Sequence, residues 1–470
     1  MTTSALSTAL SGLRVTQRSL GVTADNVANA STDGFTRKTL SQSSVIIDGE
    51  GAGVKVNQVD RFVDQSLLRD FRRQVSVENF LSTKENFLER IVSVHGNPEL
   101  ENNISGTLSR LRDKFIELTG SPESTALQSD IVASAEKSAN TINRLSDFIL
   151  DIRQQVQKEI NLATTDINSS LKTIAVFNTR IVHNKNVGKS VAALEDQRDL
   201  AIKELSEFMD ISFFTNNKGA VIVQSVDGRI LADLKPRPFS FDNTPLSFNS
   251  EHPSNLPGVI LDEGEASEFD FASKPPGGKL GALLELRDQD LIRYQSHIDE
   301  LAHKTAQRFD AQGLTLFVDS NTGVVPPDDP QQYVGFGSRI TVNPAVIDDP
   351  SLIQQGTGAP VSAGSTAVIE RIIDFTFGDF ADGVGTPHPD FRIDNLGPFG
   401  NQNLNIPKPT SNPQLESVFT RDVEQRLLDQ SAVNTDEEMA KLIELEQAFA
   451  ASSQVIQTLD DMFNQLLNAI

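Results

Sequence analysis

Apolar side chains near the N-terminus fall on one narrow line. Leu6, Leu13, Leu20 and Val27 recur every seven residues, and Leu10 and Ala24 stand four residues after Leu6 and Leu20. That is the spacing of a coiled-coil seam rather than of a broad core face, and it predicts an N-terminal helix. Gly12 and Gly21 lie inside it. Each weakens a helix by roughly 1 kcal/mol relative to Ala, so alone the helix is marginal in water. Gly34 can take the left-handed conformation after a last turn, with Phe35 packing back on the helix. By periodicity alone, an ordinary helix with a Schellman-type cap accounts for this stretch.

The C-terminal end repeats the pattern. Leu442, Leu445, Phe449, Ser452, Ile456, Leu459, Phe463, Leu466 and Ile470 are successive a and d positions, with Ser452 as the polar break. No Gly or Pro occurs from Gln414 onward. Residues 1–40 hold four cations and two acids, whereas residues 431–470 hold one cation and seven acids. Two narrow seams of opposite charge predict helices that meet. Neither seam has enough apolar surface to be covered by the other alone. Each seam residue contributes roughly 1.5–3 kcal/mol only when buried, so other copies of the chain are the expected remaining cover.

Between the ends, residues 61–95 read as helix, with Phe62, Leu67, Phe71, Val75, Phe80, Phe87 and Ile91 apolar and "GNP" as the stop. A second helix is expected from about Glu99 to Leu118. Residues 123–187 lack Gly and Pro, and isoleucines recur every seven residues from Ile160 through Ile167 and Ile174 to Ile181. A single helix of that length reaches about 95 Å, the mark of a rod-shaped bundle. A shorter helix is expected over 196–209. Residues 211–234 carry tight-turn signals at Asn216–Gly219 and Asp227-Gly228 between β-branched runs, which predicts a small antiparallel meander. Residues 235–276 read as irregular, 277–309 as helix, 313–411 as a separate β-rich or mixed domain, and 415–430 as helix. The expected class is α+β, mainly α: a long helical bundle and coiled-coil core built from both termini, with an inserted β-rich outer domain. Residues 1–38 with 432–470 form the inner coiled coil. Residues 39–312 with 412–431 form the rod domain, and 313–411 the outer domain.

Composition narrows the function. The chain has 470 residues, net charge −23 and a pI near 4.7, so nucleic acid and anionic membrane are not expected as partners. No apolar run approaches a membrane span, and the N-terminus lacks the apolar core of a secretory signal. With no cysteine, disulfides and zinc-thiolate sites are excluded. Taken alone, these features suggest a cytoplasmic protein.

The chemical motifs are weak. "VGKS" (187–190) lacks the first glycine of a phosphate loop and follows a helix. His297 and His303 stand six apart on a helix and read as solvated. "PPDDP" (326–330) and Asp348-Asp349 read as turns. The acids at 436–438 are accounted for by a helix dipole, with Asn434 or Thr435 as N-cap. No catalytic residue, cofactor, metal site or small-molecule substrate is expected.

"ADNVANASTDGFTR" (24–37) resembles the A-N-N-I-A-N-x-x-T-x-G-F/Y-x-R signature of bacterial flagellar axial proteins, which include rod, hook and hook-associated proteins. Asn26, Ala28, Asn29, Thr32, Gly34, Phe35 and Arg37 match it; Asp25 and Val27 depart mildly. The stretch 431–467 looks like the C-terminal end of the hook-associated members at the hook–filament junction. "LEDQRDLAIKELSE" (194–207), "GGKLGALLELRDQDL" (277–291) and "ITVNPAVIDDPSLI" (340–353) are similar to them too.

The resemblance implies a structural junction component, in which terminal helices of many copies pack around a central channel. It implies as partners the chain itself in a ring or helical layer, the hook protein, a neighbouring hook-associated junction protein, and a dedicated export chaperone on the C-terminal helix. It also implies export by the flagellar type III route, from the cytoplasm to the extracellular flagellum. Residues 1–35 and about 434–470 are expected to order only on assembly, since ordering costs about 1–2 kcal/mol per residue. Other readings remain: a hook or rod-type axial protein, a cytoplasmic coiled-coil scaffold, or a secreted hydrolase whose enzyme domain is 313–411.

Overall fold

The computed structural model describes residues 2–47, 50–95, 103–264, 267–358, 360–378 and 413–468. Helix α1 spans Thr2–Ala28, and an antiparallel hairpin follows, β1 (Lys38–Ile47) with β2 (Glu50–Arg61). Next come α2 (Gln65–His95), α3 (Ile104–Thr119), α4 (Thr125–Asn186) and α5 (Ala192–Phe208). Strands β3 (Ile211–Thr215), β4 (Val221–Ser225) and β5 (Ile230–Ala232) form one antiparallel sheet. Strands β6 (Phe239–Phe241), β7 (Val259–Gly264) and β8 (Ser267–Asp270) form another. Helix α6 (Gly278–Glu285) runs through a π-helical turn, Leu286–Asp290, into α7 (Leu291–Ala311). Then β9 (Phe317–Asp319) pairs with β10 (Ile340–Val342), followed by the short α8 (Pro344–Asp348), α9 (Leu352–Gln355) and α10 (Ala367–Arg371). The chain returns through α11 (Pro413–Ser431) and α12 (Thr435–Asn468).

Helix α4 is the spine. The Ser124 side chain caps it by accepting from the Leu127 N–H, and its 62 residues reach about 93 Å. Ile142, Ile149, Val156, Ile160, Ile167, Ile174 and Ile181 are buried along it, beneath α3, α5, α6 and α7. Three asparagines on α4 hold the β segments. Asn143 donates to Gly337 O (2.9 Å) and Ile340 O (3.1 Å). Asn168 donates to Phe239 O and accepts from Phe239 N, both at 2.8 Å. Asn178 donates to Val221 O (2.7 Å) and Asp233 O (2.6 Å), and accepts from Val221 N (2.9 Å). Strands this short leave many backbone groups without a ladder partner, and a buried one must be satisfied by something else. The side-chain amides serve that end.

The structure departs from the sequence expectations in several places. The β1–β2 hairpin was not anticipated inside a segment assigned to the helical rod. Residues 235–276, expected to be irregular, contain the β6–β8 sheet, whose strands of three to six residues are too short to show a period. Across 313–378 the described residues carry only two three-residue strands among short helices. They share one continuous core with α2 through α7 rather than standing apart; residues 379–412 lie outside the described residues. The expected start of α3 at Glu99 also falls outside them. His303, read as solvated, is fully buried, because Nε2 lies 2.9 Å from Pro326 O and the ring stacks on Tyr333 at 4.4 Å. Among the described residues, that core contains nothing from α1, α11 or α12.

Asp299 on α7 ties the 333–340 loop down. Its carboxylate accepts from Gly335 N (2.7 Å), Gly337 N (2.8 Å) and Gln295 Nε2 (3.1 Å). Burial pushes its pKa from 3.8 up to about 6, because desolvation outweighs those donors. A folded pKa above the unfolded one means the folded state holds the proton more tightly. The stabilising contribution is therefore complete below about pH 4 and lost as pH rises through about 6. In Asp299→Asn that slope should vanish. The difference in unfolding free energy between variant and parent should shift toward the variant by roughly 3 kcal/mol at most between pH 4 and 7. Urea titrations of both proteins across that range check this; parallel pH curves would contradict it.

Candidate assembly site at the junction of the chain ends

The signature loop after α1 folds into a polar knot. Asn29 Nδ2 bonds Asp25 O (2.9 Å) and Oδ1 (3.0 Å), and Thr32 and Phe35 close successive turns through Thr32 N→Asn29 O and Phe35 N→Thr32 O. Gly34 is left-handed (φ 72°) and lies against Leu200 of α5. It belongs to the Thr32–Phe35 turn, six residues past Ala28, so it does not cap α1 as periodicity suggested.

The centre of the knot is Asn26. Its side chain donates to Lys38 O (2.9 Å) and Glu438 Oε2 (3.0 Å) and accepts from Lys38 N (3.0 Å). Asn26 and Glu438 are both buried, at 1% and 0% exposure. Arg37 Nε donates to Glu438 Oε1 (2.7 Å), Arg37 Nη1 lies 3.7 Å from Glu437, and Arg37 N donates to Ser431 O (2.8 Å). Asn434 caps α12 by accepting from Asp436 N and Glu437 N. The helix-dipole reading thus suits the first two acids, while Glu438 binds the opposite chain end.

A second layer joins the knot to the bundle. Lys38 Nζ sits 3.1 Å from Asp196 Oδ2 and 3.2 Å above the Phe35 ring centre, held by charge and ring face rather than by an aligned hydrogen bond. Thr36 Oγ1 donates to Asp196 Oδ1 (2.5 Å). Arg61, at the foot of the hairpin, reaches Glu195 (3.2 Å), Asp196 (3.1 Å) and Asp199, and Arg72 of α2 reaches Asp199 (3.1 Å). Burial opposes ionisation of Asp199, yet Arg61, Arg72 and Arg198 together hold its carboxyl below the usual carboxylate range. Burial lowers the pKa of Arg72, which Asp199 only partly offsets. The acids come from "LEDQRDL", so stretches far apart in the chain meet here.

From this knot α1 and α12 run antiparallel, packed on one another. On α12, Leu442, Leu445, Phe449, Ile456 and Leu459 are half-buried, and Phe463 is 52% exposed. The Leu466 side chain and Ile470 lie outside the described residues. On α1, Leu13, Leu20 and Val27 are half-buried, while Leu6 and Leu10 are 43% and 38% exposed. The deepest α1 positions are instead Val15, Thr23 and Asn26, because the hairpin covers that flank. Val54 N donates to Ser11 Oγ (3.1 Å), and Gly53 (φ 116°) approaches so closely that a Cβ would lie 2.3 Å from Ser11 Oγ. The alternation at Val54 and Val56 and the Asp48-Gly49 dipeptide were the available signals for that hairpin. Of the signature, Asn26, Gly34, Phe35 and Arg37 lie in the knot or its second layer, Thr32 and Asn29 in its turns, and Ala28 is exposed. Within the chain the two terminal helices pack on one another and leave part of each seam exposed. Among the described residues no group of three His, Asp or Glu side chains is placed to hold a metal.

Known proteins resemble the chain at both ends and in its helical middle. The profile of flagella basal body rod proteins matches residues 6–36, and that of the C-terminal part of the basal body rod FlgEFG proteins matches 424–469. Both chain ends thus define a flagellar axial protein. The profile of the flagellar hook-associated protein FlgK helical domain matches residues 90–323. Flagellar hook-associated protein 1 of Bacillus subtilis is 24% identical over 509 residues, covering 99% of this chain and 98% of the relative. The Salmonella typhimurium and Escherichia coli proteins of that name are 26% and 24% identical, over 67% and 66% of this chain. The chain spans 57% of the length of either. The flagellar hook junction protein FlgK of Burkholderia pseudomallei aligns with 55% of this chain and 45% of its own at TM-score 0.46 and 21% identity. The chain is thus similar, along nearly its whole length, to flagellar hook-associated proteins of the FlgK type, a family that is structural and not enzymatic.

Asn26→Ala should leave Lys38 N, Lys38 O and Glu438 Oε2 without a partner. At about 1–3 kcal/mol for each unsatisfied group, a local loss of about 2–4 kcal/mol is expected. It should appear as faster amide exchange in α1 and the first turns of α12, with α4 unaffected. Ala28→Ser, at an exposed signature position, should change exchange by less than about 0.5 kcal/mol. Equal protection in Asn26→Ala and the parent would refute the role given to Asn26.

Proposed function

We propose that this chain forms the hook–filament junction of the bacterial flagellum, polymerising through its terminal helices. The observation that carries this reading is the state of those helices. They are tied by a buried Asn26–Glu438–Arg37 contact, yet they leave Leu6, Leu10, Ile443, Val455, Met462 and Phe463 exposed. A pair so firmly joined and so incompletely covered suits lateral packing against further copies. Similarity to flagellar hook-associated proteins supports the hook protein below and a second hook-associated junction protein above as axial neighbours. It also supports export through the flagellar type III channel, and a final position outside the cell.

An export chaperone on α12 before assembly fits the same surface. Because Phe449 and Ile456 are half-buried against α1, such a chaperone must take the place of α1. Phe449→Ser, Ile456→Ser and Phe463→Ser combined should abolish the complex in a calorimetric titration of the full-length protein. Unchanged affinity would count against it. Electron microscopy of flagella from a strain lacking this protein should show hooks without filaments; intact filaments would overturn the junction reading.

A further inference from the structure

We infer that neighbouring copies of this chain meet α1 to α12 at one level along the assembly axis, with Arg18 of one copy facing Glu446 of the next. This rests on the reading that copies assemble through these helices. The tie inside each chain sets the level. Asn26 is bonded to Glu438, and the helices run antiparallel from there. Arg18 lies eight residues back from Asn26 and Glu446 eight residues on from Glu438, each about 12 Å along the axis. Arg14 stands one turn beyond Arg18 on the same face of α1, while Glu444, two residues from Glu446, stands on the other side of α12. All four side chains are exposed. Among the described residues none of them takes part in an ion pair within the chain, whereas Arg37 and Lys38 at the knot do. The other charges on this stretch are Asp25, 4.0 Å from Lys38, and the half-buried Lys441.

The charges discriminate between arrangements. Two copies meeting α1 to α1 would set Arg14 and Arg18 against their equivalents. Meeting α12 to α12 would oppose Glu446 to its equivalent in the same way. Only the α1-to-α12 contact pairs unlike charges, and it is heterologous, so repetition closes a ring or builds a layer instead of stopping at a dimer. Equal levels on the two helices require little axial rise between neighbours. Exposed Leu10 precedes Arg18 by two turns on the same face, and exposed Ile443 precedes Glu446 by one turn, so the ion pair borders apolar surface that the same contact would cover.

Charge exchange tests this. Full-length Arg18→Glu and Glu446→Arg proteins, each checked for unchanged thermal unfolding, are added to hooks isolated from a strain lacking the protein. Each alone should lose roughly tenfold or more of the capped hooks, the scale of like charges set together at an interface. An equal mixture of the two, and the double variant in one chain, should restore capping, because every reversed α1 then meets a reversed α12. Single variants that cap like the parent, or a double variant that stays inactive, would overturn the inference while leaving the junction reading intact. A parent protein that fails to cap hooks would overturn the junction reading itself. Because the chain is free of cysteine, Arg18→Cys with Glu446→Cys gives a second readout. Mild oxidation of the assembled protein should yield a ladder of linked copies. A bond within one chain, or none, would refute the contact.

Discussion

One buried amide holds two ends of a long chain together. Asn26 and Glu438 are 412 positions apart, yet the Asn26 side chain bonds Glu438 and both backbone groups of Lys38. Both residues are withdrawn from water, so every polar atom among them needs a partner, and a lost one costs about 1–3 kcal/mol. That requirement fixes where the hairpin leaves α1 and where α12 begins. It also aligns the two seams, since antiparallel helices pinned at one point have no freedom left in register. Lys38 and Arg61 then carry the closure to the acids of α5, so the terminal pair is joined to the bundle by charge and not by a shared apolar core.

That division of labour gives the molecule two kinds of surface. From α2 to α10 a single core is sealed around α4, whose asparagines also satisfy the backbones of strands too short to satisfy themselves. The terminal helices lie outside that core and bury their seam residues only by half. A helix left half-covered is a liability in a free protein and an asset in a polymer, because the missing contacts are supplied by copies.

Much of this was visible in the residues alone. The heptad-spaced apolar residues of the Gly- and Pro-free stretch 123–187 and the stop signals at 96–98 and Ser121-Pro122 mark helices whose apolar lines are long enough to show a period. The β3–β5 meander was legible because glycine turns at Gly219 and Gly228 have no other use. The β6–β8 strands were not, because three to six residues carry no period, and β6 is held by Asn168 on a distant helix. His303 misled for a related reason: an imidazole is buried or solvated according to what stacks on it, and Tyr333 is brought there by the fold. Glu438 misled because a helix dipole was a sufficient local explanation for three acids in a row.

Local periodicity and charge were therefore enough for the long helices, the two narrow seams, their opposite signs and the expectation that they meet. Those features rest on neighbours three, four and seven residues away, which the chain carries with it. Three-dimensional packing alone chose which acid of 436–438 turns inward, that a hairpin covers the Val15–Thr23 flank of α1, and that Gly34 turns a loop instead of ending a helix. Each of those outcomes depends on a partner separated by tens to hundreds of residues. The free energy of burying and satisfying polar groups is decided by the contact, and no local pattern records which contact will form.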